Sequence, residues 1–144
     1  MSHLASCLLL VLSLLTLSAG AARADDWTCT YSGRWTRSSD GGAANFTWQI
    51  TWRKADGGWR LVGDYQDLNG SSRFDGRCAN KSCRFHQRYI GGKLDGKTYH
   101  YQGSYQDTWY GDSKTVNQFT GTWGYNSSAQ GDGSWTATAT CVKL

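Results

Sequence analysis

Lys97-Thr-Tyr-His-Tyr-Gln-Gly-Ser-Tyr-Gln-Asp-Thr-Trp109 is the stretch whose reading decides the fold. Its odd positions run Tyr99, Tyr101, Gly103, Tyr105, Asp107, Trp109, and its even positions run Thr98, His100, Gln102, Ser104, Gln106, Thr108. Alternation with a period of two gives a β-strand with one aromatic and one polar face. Part of it repeats upstream, since Gly103-Ser-Tyr-Gln-Asp107 echoes Gly63-Asp-Tyr-Gln-Asp67.

The same pattern extends outward. Phe46, Trp48, Ile50 and Trp52 alternate with Thr47, Gln49, Thr51 and Arg53, and Cys29, Tyr31, Gly33 and Trp35 share one side of an earlier segment. Asp56-Gly57, Asn69-Gly70 and Gly91-Gly92 are turn signals, because Asn, Asp and Gly tolerate positive φ. Strands are expected at Cys29–Thr36, Phe46–Arg53, Trp59–Asp67, Ser72–Cys78, Cys83–Ile90, Lys97–Trp109, Thr115–Tyr125 and Ser134–Val142. Eight strands joined by short turns read as an all-β, antiparallel, up-and-down barrel, closed or nearly so.

The amino terminus reads differently. Leu8 to Leu17 is apolar apart from Ser13 and Thr16, and Ala22-Arg-Ala24 is a small-x-small cleavage pattern, so residues 1–24 are expected to be a signal peptide. Its removal from the 144 residues leaves 120, residues 25–144, which is one domain's length. Without Arg23 there are 14 Lys and Arg against 11 Asp and no Glu, with no long basic block. A mild, interspersed charge of this kind argues against nucleic acid as a partner. No membrane span is expected in the mature chain, and the expected location is secreted or periplasmic.

Cys29, Cys78, Cys83 and Cys141 remain after cleavage, an even number suited to two disulfides in an exported chain. Their spacing is not that of a zinc site, and neither metal nor cofactor is expected. In an up-and-down barrel, Cys78 and Cys83 flank one hairpin. Closure would bring Cys141 on the last strand opposite Cys29 on the first, so the expected pairs are Cys29–Cys141 and Cys78–Cys83.

Gly-x-Trp/Tyr pairs recur along the chain, including Gly33/Trp35, Gly103/Tyr105 and Gly121/Trp123. Each glycine shares a face with its aromatic partner, whose ring can lie across the missing side chain of a bent strand. Ser32-Gly-Arg-Trp-Thr36 and Phe119-Thr-Gly-Thr-Trp123 resemble strands of avidin-like barrels, and Gly33 with Trp35 is equally similar to the first-strand feature of lipocalins. The resemblance implies an eight-stranded cup that holds a small molecule at its open end. No stretch matches the polar loop with which avidin-like barrels clamp their ligand.

The ligand-binding candidates are Tyr65 with Asp67, Tyr105 with Asp107, the rim residue Trp109, and Trp48 and Trp52 on one strand face. Aromatic rings stack on sugars or flat ligands, and a nearby carboxylate fixes orientation through directional hydrogen bonds. Gln66 and Gln106 would point the other way. A second candidate surface is Arg84, His86, Arg88 and His100, a polar patch suited to an acidic glycan or partner protein. No Ser-His-Asp arrangement is evident, and two histidines on an outer face give little support to catalysis. The sequence therefore favours a binding protein for a small polar, aromatic or saccharide ligand, with an extracellular protein-interaction or inhibitor module as the alternative. An outer-membrane barrel would require an apolar outer band and a polar interior.

Overall fold

A computed structural model describes residues 25–144; the signal-peptide expectation falls on residues 1–24, outside the described part. Eight strands follow one another as β1 (Trp27–Arg37), β2 (Ala43–Ala55), β3 (Gly58–Asp67), β4 (Gly70–Ala79), β5 (Ser82–Tyr89), β6 (Thr98–Trp109), β7 (Lys114–Gly124) and β8 (Gly133–Lys143). Each pairs antiparallel with the next, and β8 pairs with β1, so the sheet closes into an up-and-down barrel. Closure leaves no edge strand to recruit another chain.

The β1–β8 register sets Cys29 opposite Cys141, and the β4–β5 register sets Cys78 opposite Cys83. Both pairs are disulfide-bonded, as expected from the strand order. Such bonds point to an oxidising compartment. No helix among the described residues is long and apolar enough to cross a membrane.

Alternation places one residue of every two inside. The waist of the barrel is filled by Tyr31, Ile50, Leu61, Phe85, Phe119 and Trp135, all buried. Trp52 donates its indole N–H to the Tyr31 hydroxyl at 2.9 Å, which satisfies both polar groups within this apolar layer. Trp135 lies on Phe119 in a stacked contact at 5.6 Å.

Four of the inward glycines, Gly33, Gly103, Gly121 and Gly133, are covered, but by rings from other strands, while Gly63 faces the Gln49 carbonyl and Ile50. Trp135 on β8 spans Gly121 on β7 and Gly103 on β6: a Cβ at Gly121 would stand 2.6 Å from Trp135 Nε1, and one at Gly103 would stand 2.8 Å from its Cζ2. Gly33 is covered by Phe46 of β2, and Gly133 by Trp123 of β7. The ring two residues along the same strand does not supply the cover, because it points into the interior one layer away. Trp135 also donates its N–H toward the carbonyls of Gln102 and Thr122, 3.1 Å from each. These glycines let a bulky indole fit inside an eight-stranded barrel, whose interior is just wide enough for side chains.

Candidate functional site

Because all neighbours are antiparallel, the odd-numbered strands end at one mouth of the barrel and the even-numbered strands at the other. The mouth reached by β1, β3, β5 and β7 opens into a cavity of about 470 Å3. That volume lies within the usual range for small-molecule sites.

Trp48 forms part of its floor. This residue is 3% exposed, stacked on Phe46 at 3.8 Å and edge-on to Tyr101 at 5.1 Å. One wall is a continuous arc of rings contributed by β1, β7, β6 and β5. Trp35 meets Trp123 at 6.0 Å, Trp123 meets Tyr125 at 5.3 Å, Tyr125 meets Tyr99 at 5.5 Å, and Tyr99 meets Tyr89 at 6.1 Å. Tyr65 on β3 adds a further ring, and Leu68 and Leu94 lie at the rim.

From β6 and β5 the wall continues toward β3 as a hydrogen-bonded chain. Tyr101 donates to Gln87 Oε1 at 3.3 Å; Gln87 Nε2 donates to Ser72 Oγ at 2.9 Å and toward the Tyr89 hydroxyl at 3.4 Å. Tyr89 in turn donates to Asp67 Oδ2 at 2.6 Å, while Asp67 Oδ1 accepts the Asn69 backbone N–H at 2.7 Å. Burial first, and then the hydrogen bond to Asp67, raise the Tyr89 hydroxyl above its ordinary value, so it remains a neutral donor at neutral pH. At the rim, the Arg37 guanidinium pairs with Asp40 through two hydrogen bonds of 2.9 and 2.8 Å and holds that carboxyl down to about 2.

The expected ligand residues do not form one site. Trp48, Tyr65 and Asp67 line the cup. Trp52, Tyr105, Asp107 and Trp109 line a smaller cavity at the opposite end. Three chain reversals separate β3 from β6, and an odd number of reversals sends the two Tyr-x-Asp repeats to opposite mouths. The same count would have found the residues the sequence reading missed. Gln87, Tyr89, Tyr99, Tyr101, Trp123 and Trp35 all face inward near the mouth that contains Asp67.

Gln66 and Gln106 face outward, as expected. So does the polar patch. His86 and His100 are register partners with rings 5.9 Å apart, and Arg84 and Arg88 flank His86 on β5. Burial, and then the neighbouring His86, lower the His100 pKa. Arg84 is tied down by Gln102 Oε1 at 2.6 Å and the Ser127 carbonyl at 3.0 Å. Among the described residues, no three His, Cys, Asp or Glu side chains gather where a metal could be held.

Fold and cavity together define a closed eight-stranded β-barrel with an aromatic cup at one end. No known family model matches the chain, and no curated protein matches it. Among solved structures it is similar to the ywiB protein from Bacillus subtilis, with a TM-score of 0.51 over 83% of this chain and 92% of that one. At 6% identity the similarity is one of fold alone.

Proposed function

We propose that the protein is a secreted binding protein that holds a small polar ligand with a flat face, a saccharide or a polar aromatic, in the cup without transforming it. The observation that carries this reading is the mixed wall: an arc of five rings runs on through Tyr89 into a line of hydrogen-bonding groups ending at Asp67, around a cavity of about 470 Å3. A sugar ring or a substituted heterocycle has a face that stacks and an edge that hydrogen-bonds, and both are met here. The two disulfides and the leader-like amino terminus support export. The outward positions, such as Arg60, Asp64, Arg73 and Arg88, are polar and the interior is aromatic, which is the reverse of a barrel facing lipid.

The test is a tryptophan-fluorescence screen of mono- and oligosaccharides and of polar heteroaromatics, repeated with Asp67→Asn and Tyr99→Ala. A saturable change that both substitutions weaken is the expected result. A screen in which no compound produces saturable binding counts against the cup as a ligand site.

A second reading places the working surface outside. Arg73 pairs in register with Arg88, and Arg77 with Arg84, so four guanidinium groups lie on two adjacent strands. Like charges directly opposite one another are unfavourable without a counter-charge. Asp64 supplies one, to Arg73 at 3.1 Å. An acidic protein or glycan would supply the rest.

A further inference from the structure

The end of the barrel away from the cup contains a second cavity, of about 80 Å3. This is between two and three times the volume of roughly 30 Å3 that a water molecule takes up in the liquid. Five rings contribute to its walls, Trp27, Trp52, Trp59, Trp109 and Tyr105, beside the Cys29–Cys141 disulfide. Trp52 is tilted against Trp59 at 6.0 Å and edge-on to Tyr105 at 5.6 Å, while Trp27 and Trp109 meet edge to face at 5.6 Å. Trp109 is 55% exposed, so this cage borders solvent.

Three polar side chains interrupt the rings, Asn117, Asp107 and the buried Thr115. Asn117, on β7, is 3% exposed, and its Oδ1 is the buried side-chain oxygen left without a partner among the described residues. Its orientation follows from chemistry. Asn117 Nδ2 lies 3.7 Å from Cys141 Sγ, and a disulfide sulfur has no hydrogen and can only accept, so the amide nitrogen belongs on that side. A buried acceptor without a donor is costly, and the cost is relieved by a group that brings an N–H or O–H into the cavity.

The second group is Asp107. Its Oδ2 accepts the Trp109 indole N–H at 3.1 Å, and its Oδ1 lies 3.0 Å from Lys81 Nζ. The hydrogen bond from Lys81 is the main reason its pKa is lowered, so it is an anion at neutral pH. Each oxygen keeps a lone pair beyond these contacts, since a carboxylate offers about four acceptor sites. Lys81 is well exposed and approaches from outside, offsetting part of the charge.

We propose that this lower pocket is a separate binding site for a small organic ammonium ion carrying at least one N–H, such as a methylated amine. Ring faces attract a cation through their quadrupoles, most strongly when it is desolvated, and indole is the strongest such ring. Asp107 supplies the net negative charge, and Asn117 Oδ1 takes the N–H. A neutral molecule of the same shape forgoes the first two attractions. A quaternary ammonium forgoes the hydrogen bond and leaves the amide oxygen unpaired. The site is independent of the cup, which lies beyond the filled waist.

The experiment titrates the protein with dimethylammonium, tetramethylammonium and neutral isopropanol, reading the Trp109 indole N–H by NMR and the intrinsic fluorescence. Saturable binding of dimethylammonium is expected, with tetramethylammonium weaker by about tenfold and isopropanol weaker still. Asp107→Asn keeps an acceptor for Trp109 but removes the charge, and should weaken dimethylammonium by about tenfold or more. Lys81→Gln removes the competing cation from an exposed position and should tighten binding, an effect that a purely structural role for Lys81 would not produce. Equal responses to all three probes, absence of saturable binding by dimethylammonium, or weaker binding in Lys81→Gln would overturn the proposal.

Discussion

The Tyr89 hydroxyl donates a 2.6 Å hydrogen bond to Asp67 Oδ2, joining the last residue of β5 to the last residue of β3. Asp67 thereby does two jobs, because its other oxygen accepts the Asn69 N–H and shapes the turn. Asp67→Asn preserves an oxygen for the turn, and its amide NH2 donates to the Tyr89 oxygen in place of accepting the Tyr89 proton, so it removes the charge and reverses one hydrogen bond while the turn is kept. Its expected effect is a loss of cup-ligand affinity of about tenfold, with stability changed by less than about 1.5 kcal/mol. Tyr89→Phe removes the donor altogether, and its cost should be about 1.5–3 kcal/mol, the usual worth of a hydrogen bond to a charged group. Urea denaturation of both variants alongside ligand titration separates the two effects.

Gly121 should not tolerate a side chain. A methyl group there would stand 2.6 Å from Trp135 Nε1 and run into the Gln102 carbonyl, with little room for the indole to retreat among buried rings. Gly121→Ala is expected to cost about 1–3 kcal/mol through overpacking. Thr120→Ala, one residue away on the exposed outer face, should stay within about 0.5 kcal/mol. Comparable midpoints in thermal unfolding would contradict the account of Trp135 lying across the glycine.

The two disulfides should differ in worth. Cys29–Cys141 spans 112 residues and Cys78–Cys83 spans 5. Restricting the unfolded chain gives about 5 kcal/mol for the long closure and about 2 kcal/mol for the short one. Paired Cys→Ala variants, compared by denaturant midpoint, test that order; a larger loss on removing Cys78–Cys83 would show that the unfolded chain is not the main term.

Stability should fall at alkaline pH. Burial raises Tyr31 and Tyr101, and burial together with Asp67 raises Tyr89, so the folded chain retains protons that the unfolded chain releases. The contribution is fully present below the ordinary tyrosine value of about 10 and is lost as pH rises through the folded values. Denaturation midpoints should therefore decline from about pH 10 upward, and a flat profile to higher pH would refute the linkage.

His100 gives the opposite limb. Its pKa is lowered, so the contribution is present above the unfolded value of about 6.5 and is lost as pH falls through the folded one. His100→Gln should flatten stability across that interval, while leaving the alkaline limb unchanged.

Alternation alone assigned almost every face. Tyr99, Tyr101 and Tyr105 are inward, and Arg84, His86, Arg88 and His100 outward, because successive side chains in a strand must point to opposite sides. Turn residues such as Asp56-Gly57 marked the number of strands, and the up-and-down order expected from them led to the two cysteine pairs that the structure contains. Those are local or combinatorial properties, and one chain contains them. The rings that cover Gly103 and Gly121, the gathering of Gln87, Tyr89 and Asp67, and the orphaned Asn117 oxygen depend on the registers and packing of three successive strands, β6 to β8 or β3 to β5. Alternation within one strand does not contain these contacts, since they reflect how indoles of fixed size fill a ring of eight strands. The two Tyr-x-Asp repeats look equivalent as text, yet opposite strand directions send one to the cup and the other to the aromatic pocket at the far end.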